Sequence, residues 1–168
     1  RHDIVLSQYD VVLVFANGLF DESVGVGTEI ADYIALGGNV VIGSFYWQGR
    51  SDSGLGAVGW GALENLDPYT SSGGATYTLG SLGNVVTHPL TTGLTALTST
   101  GYWGGAVQKP TGTTVVASWA DGTPLVGYRL LPGGQRVVGV SLFPASTALE
   151  ATGDVQILWE NAVNWAGE

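Results

Sequence analysis

Short apolar runs and one stretch of helical spacing organise the first part of the chain. Residues 11–16 form an unbroken apolar run rich in β-branched side chains, which predicts a strand. The apolar residues of segment 30–36 recur at helical spacing, glycines follow at 37–38, and residues 40–42 are a second apolar run. Neither run alternates with polar residues, so both strands are expected to be buried on two faces, as in a parallel strand–helix–strand unit.

The last third of the chain has clear element boundaries. Residues 114–119, 124–131 and 135–143 predict three strands, the last two joined by a Pro-Gly-Gly turn at 132–134. The apolar residues of segment 154–166 follow the i, i+3, i+4 rule and predict a final amphipathic helix.

The middle of the chain has a different character. Residues 45–80 are rich in Gly, Ser and aromatic residues and show no long period, apart from one short helix expected near residues 57–63. So long an excursion within a compact domain is typical of a functional or interaction surface.

Composition narrows the classes of partner. The length of 168 residues fits one domain spanning residues 1–168, and the net charge of −9 argues against nucleic acid and anionic membranes as partners. No apolar run reaches the length of a membrane span.

The chain has no cysteine, which excludes disulfides, thiolate zinc sites and a cysteine nucleophile. It also has no methionine, even at position 1, so we expect it to have been processed or excised, or to be a piece of a longer protein. Low charge with many Gly and Thr residues, and without Cys or Met, predicts a secreted or cell-surface location.

Six segments, in order along nearly the whole chain, resemble the class I glutamine amidotransferase-like superfamily, close to divergent bacterial ThuA-like domains. They are LSQYDVVLVF, IADYIALGGNVV, THPLTTGL, VVASWADGTPLVGYR, GGQRVVGVSLFP and ILWENAVNWA. The resemblance implies an α/β fold: a flavodoxin-like three-layer sandwich with a mostly parallel sheet, a C-terminal β-hairpin and a final helix.

The chain departs from that superfamily at the nucleophile. Amidotransferases carry a cysteine in a sharp elbow after the strand that matches residues 40–42, whereas this chain has Ser44 there and no thiol. Ser44 and His88, which lies in a His-Pro-Leu turn, are the candidates for a hydroxyl nucleophile and its base. The G-x-S-x-G pattern that exposes such a serine is absent, so we expect a non-catalytic domain, with a Ser44–His88 hydrolase as an alternative.

A second departure lies at the front of the chain. Superfamily members begin with another strand and helix before the segment that matches residues 6–10, and the residues here are too few to form them. A parallel sheet without that strand leaves backbone groups unpaired beside residues 11–16, at a cost of about 1–3 kcal/mol for each buried group. Three explanations stand: the chain is a fragment, the sheet is rearranged, or a neighbouring chain or domain supplies a strand there.

Aromatic residues in the Gly-rich loops are the candidate ligand-binding or interface residues. They are Tyr46, Trp47, Trp60, Tyr69, Tyr102 and Trp103. Exposed rings would stack on sugars, whereas the alternative is that they cover the end of the sheet or pack at a subunit contact. Asp21, Glu22 and Glu29 lie close in sequence but lack the spacing of a calcium loop, so no metal and no cofactor is expected.

These observations together predict a non-catalytic extracellular structural or interaction domain that self-associates, by strand donation into a filament or surface assembly. A carbohydrate-binding accessory module of a secreted glycan-processing protein is the other alternative, with a glycan as partner.

Overall fold

The computed structural model describes residues 5–18, 20–52, 58–72, 74–109, 111–144 and 151–168. In chain order its helices and strands are β1 (Val11–Val14), α1 (Ser23–Ala35), β2 (Asn39–Gly43), β3 (Tyr69–Ser71), β4 (Gly80–Val85), β5 (Leu97–Ser99), β6 (Ala106–Gln108), β7 (Thr113–Trp119), β8 (Pro124–Leu130), β9 (Arg136–Val140), β10 (Thr152–Gly153) and α2 (Val155–Gly167). Short 3-10 turns lie at Leu6–Gln8, Tyr46–Gly49, Gly61–Asn65 and Pro89–Thr91.

Eight of the strands form one mixed sheet in the order β1-β2-β9-β8-β7-β4-β5-β10, and β3 pairs with β6 separately. Among the described strands of this sheet, only the pairs β1–β2 and β2–β9 are parallel, whereas every pair from β9 through β8, β7, β4 and β5 to β10 is antiparallel. The predicted flavodoxin-like three-layer sandwich with a mostly parallel sheet is therefore wrong. A parallel sheet needs a crossover helix for each added strand, and the described residues between β2 and β7 form short strands and 3-10 turns instead.

Several local predictions are confirmed. β1 and β2 pair in parallel, from Val11 opposite Asn39 to Val14 opposite Ile42, with α1 between them in the chain. β8 and β9 form the predicted antiparallel hairpin, and α2 occupies almost the predicted segment. The expected burial of both parallel strands holds for β2 and fails for β1, which lies at the end of the sheet with Leu13 38% exposed.

The sheet separates two apolar cores because successive residues of a strand point to opposite faces. Val41 of β2 belongs to the core that α2 covers with Leu158 and Ala162. Val40 and Ile42 belong to the other core, which α1 covers with residues that include Ile30 and Ile34.

Helix α1 packs against the segment around Trp60 through a hydrogen bond and a close backbone approach. Ser23 Oγ donates a hydrogen bond of 2.7 Å to the Gly59 carbonyl. Gly27 faces Trp60 so closely that a Cβ there would lie 1.9 Å from the Trp60 carbonyl oxygen, whereas a Cβ at Gly25 would meet nothing within 4 Å. Gly27 therefore sets how closely the helix approaches, and Gly25 faces open space.

We predict opposite stability effects for the same substitution at these two glycines. Gly27→Ala should lower the free energy of unfolding by about 1–3 kcal/mol, because the backbone of Trp60 has to move. Gly25→Ala should raise it by about 0.4–1 kcal/mol, because alanine restricts the unfolded chain without a clash. Urea denaturation of both variants measures the difference, and equal effects would contradict the close helix approach.

Candidate functional site

The predicted Ser44–His88 pair does not form. Ser44 is fully buried, and its Oγ has no hydrogen-bond partner among the described residues. The Nδ1 atom of His88 accepts a hydrogen bond of 3.2 Å from the Leu90 N–H instead, where it caps the 3-10 turn Pro89–Thr91. The alternative of a hydrolase that uses Ser44 and His88 is therefore wrong, since the base does not contact the hydroxyl.

The six aromatic candidates all lie inside the protein, each at most 3% exposed. Tyr46 stacks on Trp60 with ring centroids 4.9 Å apart, and Trp47 lies 5.4 Å from Tyr69. Tyr102 and Trp103 are equally enclosed, and Tyr102 stacks on Trp119 at 4.2 Å. Burial of this kind fits the packing role that was the alternative for these residues. Nothing in the structure tests their ligand-binding or interface role, which stays a prediction.

A buried cluster of charges, which the sequence reasoning missed, holds the middle segment together. Arg50 donates two hydrogen bonds to the Asp52 carboxylate, of 2.9 Å from Nε and 3.0 Å from Nη2. Its Nη1 also donates to the fully buried carboxylate of Asp67 and, at 3.0 Å, to the Tyr69 carbonyl. Lys109 Nζ reaches the second oxygen of Asp67 at 2.6 Å.

The charges of this cluster compensate one another, as expected for a group that stabilises the fold. Desolvation raises the pKa of the Asp67 carboxyl, and the charges of Arg50 and Lys109 act in the opposite direction. Both Asp67 oxygens are bonded to cations and the residue is fully buried, so the carboxylate is not exposed to a ligand from solvent. Within the described part of the chain, no group of three or more His, Cys, Asp or Glu side chains could hold a metal ion.

We predict that Asp67→Asn lowers the free energy of unfolding by about 3–5 kcal/mol, because it leaves buried Arg50 and partly buried Lys109 without their shared anion. Asp52→Asn is the control, since the Asp52 side chain is 36% exposed and its loss should cost less than about 1 kcal/mol. Chemical denaturation measures both values. A cost for Asp67→Asn no greater than that of the control would contradict the structural role.

His88 lies in an aromatic cluster of its own. Its ring stacks on Tyr128 at 5.0 Å and meets Trp165 at 5.2 Å, with Arg136 over the Trp165 ring. Burial lowers the pKa of His88, and the positive charge of Arg136 lowers it further. The neutral imidazole is also the form whose Nδ1 can accept the hydrogen bond from Leu90.

We predict a pH-dependent contribution of His88 to stability. Because the pKa of His88 is lower in the folded state, the unfolded chain binds more protons as the pH falls below about 6.5. Stability from this residue should be complete above that pH and lost as the pH drops through the folded pKa. Unfolding free energies measured from neutral to mildly acidic pH should fall more steeply for the natural protein than for His88→Asn, which keeps a capping side chain. Parallel profiles would refute this.

The open edge of β1 is the strongest candidate site. β1 is the first strand in the sheet order, so β2 is its only strand neighbour among the described residues. A groove of about 680 Å³ runs along this edge. β1 and Phe15 form one side of it, α1 forms the other, and Leu6, Ser7 and Phe20 complete the lining. The groove is therefore a channel between a strand edge and a helix.

The groove is apolar with acidic positions along α1. Leu13, Phe15 and Leu36 line it and are 38%, 41% and 84% exposed. The charged residues of its described lining are Glu22, Glu29 and Asp32, and that lining includes no Lys, Arg or His. Sequence reasoning indicated the strand but missed the helix side. The signal was available in Leu36, an apolar residue at the end of the helical period.

Comparisons with known proteins support the fold alone. No protein-family model and no curated protein matches the chain. Two solved structures share its fold: Cytoplasmic Protein STM3548 from Salmonella typhimurium, with a TM-score of 0.73 and 16% identity, and Cytoplasmic Protein STM1381 from Salmonella typhimurium LT2, with a TM-score of 0.74 and 18% identity. The alignments cover 96% and 97% of this chain and 73% and 74% of those chains. The resemblance to ThuA-like domains is tested by none of these and stays a prediction.

These neighbours carry names that conflict with the predicted location and function. Both are described as cytoplasmic proteins, which contradicts a secreted or cell-surface location and with it an extracellular self-assembling domain. The glycan-binding alternative also assumed a secreted protein and exposed rings, and those rings are buried. Among the described residues, no helix has the length and apolar character needed to cross a membrane.

Proposed function

We propose that this protein is a binding domain that takes up an extended segment of another polypeptide as a strand beside β1. The segment pairs its backbone with the outer edge of β1 and places alternate side chains in the groove against α1. The observation that carries the proposal is the position of β1, an apolar strand at the end of the sheet beside an open apolar groove.

The backbone of β1 supports this mode of binding. A strand at a sheet edge presents unpaired N–H and C=O groups, and proteins normally protect such edges with charges, proline, bulges or very short strands. The sequence of β1 is Val-Val-Leu-Val, which contains none of these protective residues. At the opposite edge of the sheet, β10 has only two residues, and so short a strand offers little backbone for pairing. The edge of β1 is thus suited to pairing with an added strand.

The side chains of the groove support an apolar partner. Val12 and Val14 point toward α1 on the strand side of the groove, and Val26 and Leu36 line its helix side. Leu13 and Phe15 also line the groove and are partly exposed. Gly25 leaves open space within the helix wall. An added strand would cover these apolar groups and gain about 25 cal/mol for each Å² of apolar surface removed from water.

We predict that a fluorescent peptide of about seven residues with alternating apolar side chains binds this protein, as measured by fluorescence anisotropy. Leu13→Asp should weaken binding at least about tenfold, because a carboxylate would be buried against the apolar strand. Gly25→Trp should weaken it similarly by filling the groove from the helix side, where space is open. Leu79→Asp, at a residue 70% exposed and outside the groove lining, is the control and should bind like the natural protein.

Each variant is first checked for a cooperative urea transition, so that loss of folding is not read as loss of binding. Binding that survives both Leu13→Asp and Gly25→Trp would place the peptide elsewhere and contradict the proposal. A concentration-dependent dimer that Leu13→Asp abolishes would identify a second copy as the occupant and would also contradict it.

A further inference from the structure

We infer that the strand bound beside β1 carries Lys or Arg residues on both sides of a short apolar centre, on the face that meets α1. The inference rests on the proposed function and specifies the class of its partner. It derives from the positions of two carboxylates on one face of α1 and a third just before the helix, in a groove whose centre is apolar.

The face of α1 that lines the groove has a regular order. The acidic residues Glu22, Glu29 and Asp32 all line the groove and are separated by seven and then three residues, with Glu22 at the position just before α1. Residues with that spacing form one ridge along a helix. The acidic side chains are therefore distributed along the groove, with one before the opening at Gly25 and two after it.

The distances along this ridge match the repeat of a strand. A helix rises about 1.5 Å per residue, so Glu22 and Glu29 are separated by about 10 Å and Glu22 and Asp32 by about 15 Å along the axis. A strand rises about 3.3 Å per residue, and about three to five of its residues span those separations. Side chains that face α1 alternate along the strand, so basic residues about four positions apart would meet carboxylates on both sides of the opening.

Charge complementarity favours basic over acidic or neutral flanks. Glu22, Glu29 and Asp32 are all exposed, and the protein has a net charge of −9. The described lining of the groove offers no cation to a bound acidic strand. A strand with acidic flanks would meet only like charges, whereas Lys and Arg can also lay their apolar stems along the groove.

The test compares three synthetic peptides that share one alternating apolar centre and differ in their flanks: Lys, Gln or Glu on both sides. The peptide with Lys flanks should bind about three- to tenfold more tightly than the one with Gln flanks, and the one with Glu flanks should bind most weakly. Raising NaCl from about 0.1 M to about 1 M should reduce these differences, since the screening length falls from about 10 Å to about 3 Å.

The double variant Glu29→Gln, Asp32→Asn locates the effect on the ridge. It should remove most of the preference for Lys flanks, measured as the ratio of the affinities of the peptides with Lys and with Gln flanks. Glu160→Gln on α2, which changes an exposed carboxylate outside the groove lining, is the control and should keep the preference.

Three outcomes would overturn the inference, and they differ in what they imply for the proposed function. Equal affinities for all three peptides, with Leu13→Asp still disruptive, would refute the basic flanks and leave the strand site standing. An equal loss of preference in Glu160→Gln would refute the ridge as its source. Failure of every peptide to bind would refute the strand site itself.

Discussion

A β-strand pairs all of its backbone N–H and C=O groups with other strands only when it has a neighbour on each side, and this constraint organises the whole sheet. β9 has two such neighbours, since it pairs in parallel with β2 and antiparallel with β8. The sheet therefore changes from parallel to antiparallel pairing at β9. β2 lies between β1 and β9 and is almost fully buried. β1 has a partner on one side only, so a strand that belongs by composition to the interior is left at the surface.

Contacts elsewhere in the molecule hold helix α1 in place beside that strand. Helix α1 is fixed by the close contact of Gly27 with Trp60 and by the bond from Ser23 to the Gly59 carbonyl. The segment around Trp60 is in turn tied down by Arg50 and Lys109, which share the buried carboxylate of Asp67. The buried aromatic rings and ion pairs therefore support the helix side of the groove. Since that side is held in place before any partner arrives, little ordering would accompany binding.

The elements that could be predicted from the sequence are those with a local sequence pattern. The run at residues 11–16, the helical period that ends at Leu36 and the glycine turn at 133–134 each have a local cause, and the structure contains the elements they predicted. Strand direction has no such local signature, because β7 and β8 carry apolar runs like those of the parallel strands. The buried charge cluster of the middle segment was missed for a related reason. Arg50, Asp67 and Lys109 lie far apart in sequence and meet only in the folded chain. A Gly-rich aromatic stretch has the same sequence pattern whether it is buried in the protein or exposed at its surface.

The central claim is that the outer edge of β1 accepts a strand, and amide hydrogen exchange tests it most directly. In β1, the amides that do not bond to β2 face the groove edge and should exchange quickly in the free protein. On saturation with an alternating apolar peptide, those amides within Val11–Val14 should become strongly protected, while the amides of β10 at the far edge keep their rates. Protection that appears only on α1, or that leaves the β1 amides unchanged, would contradict strand pairing even if the peptide binds.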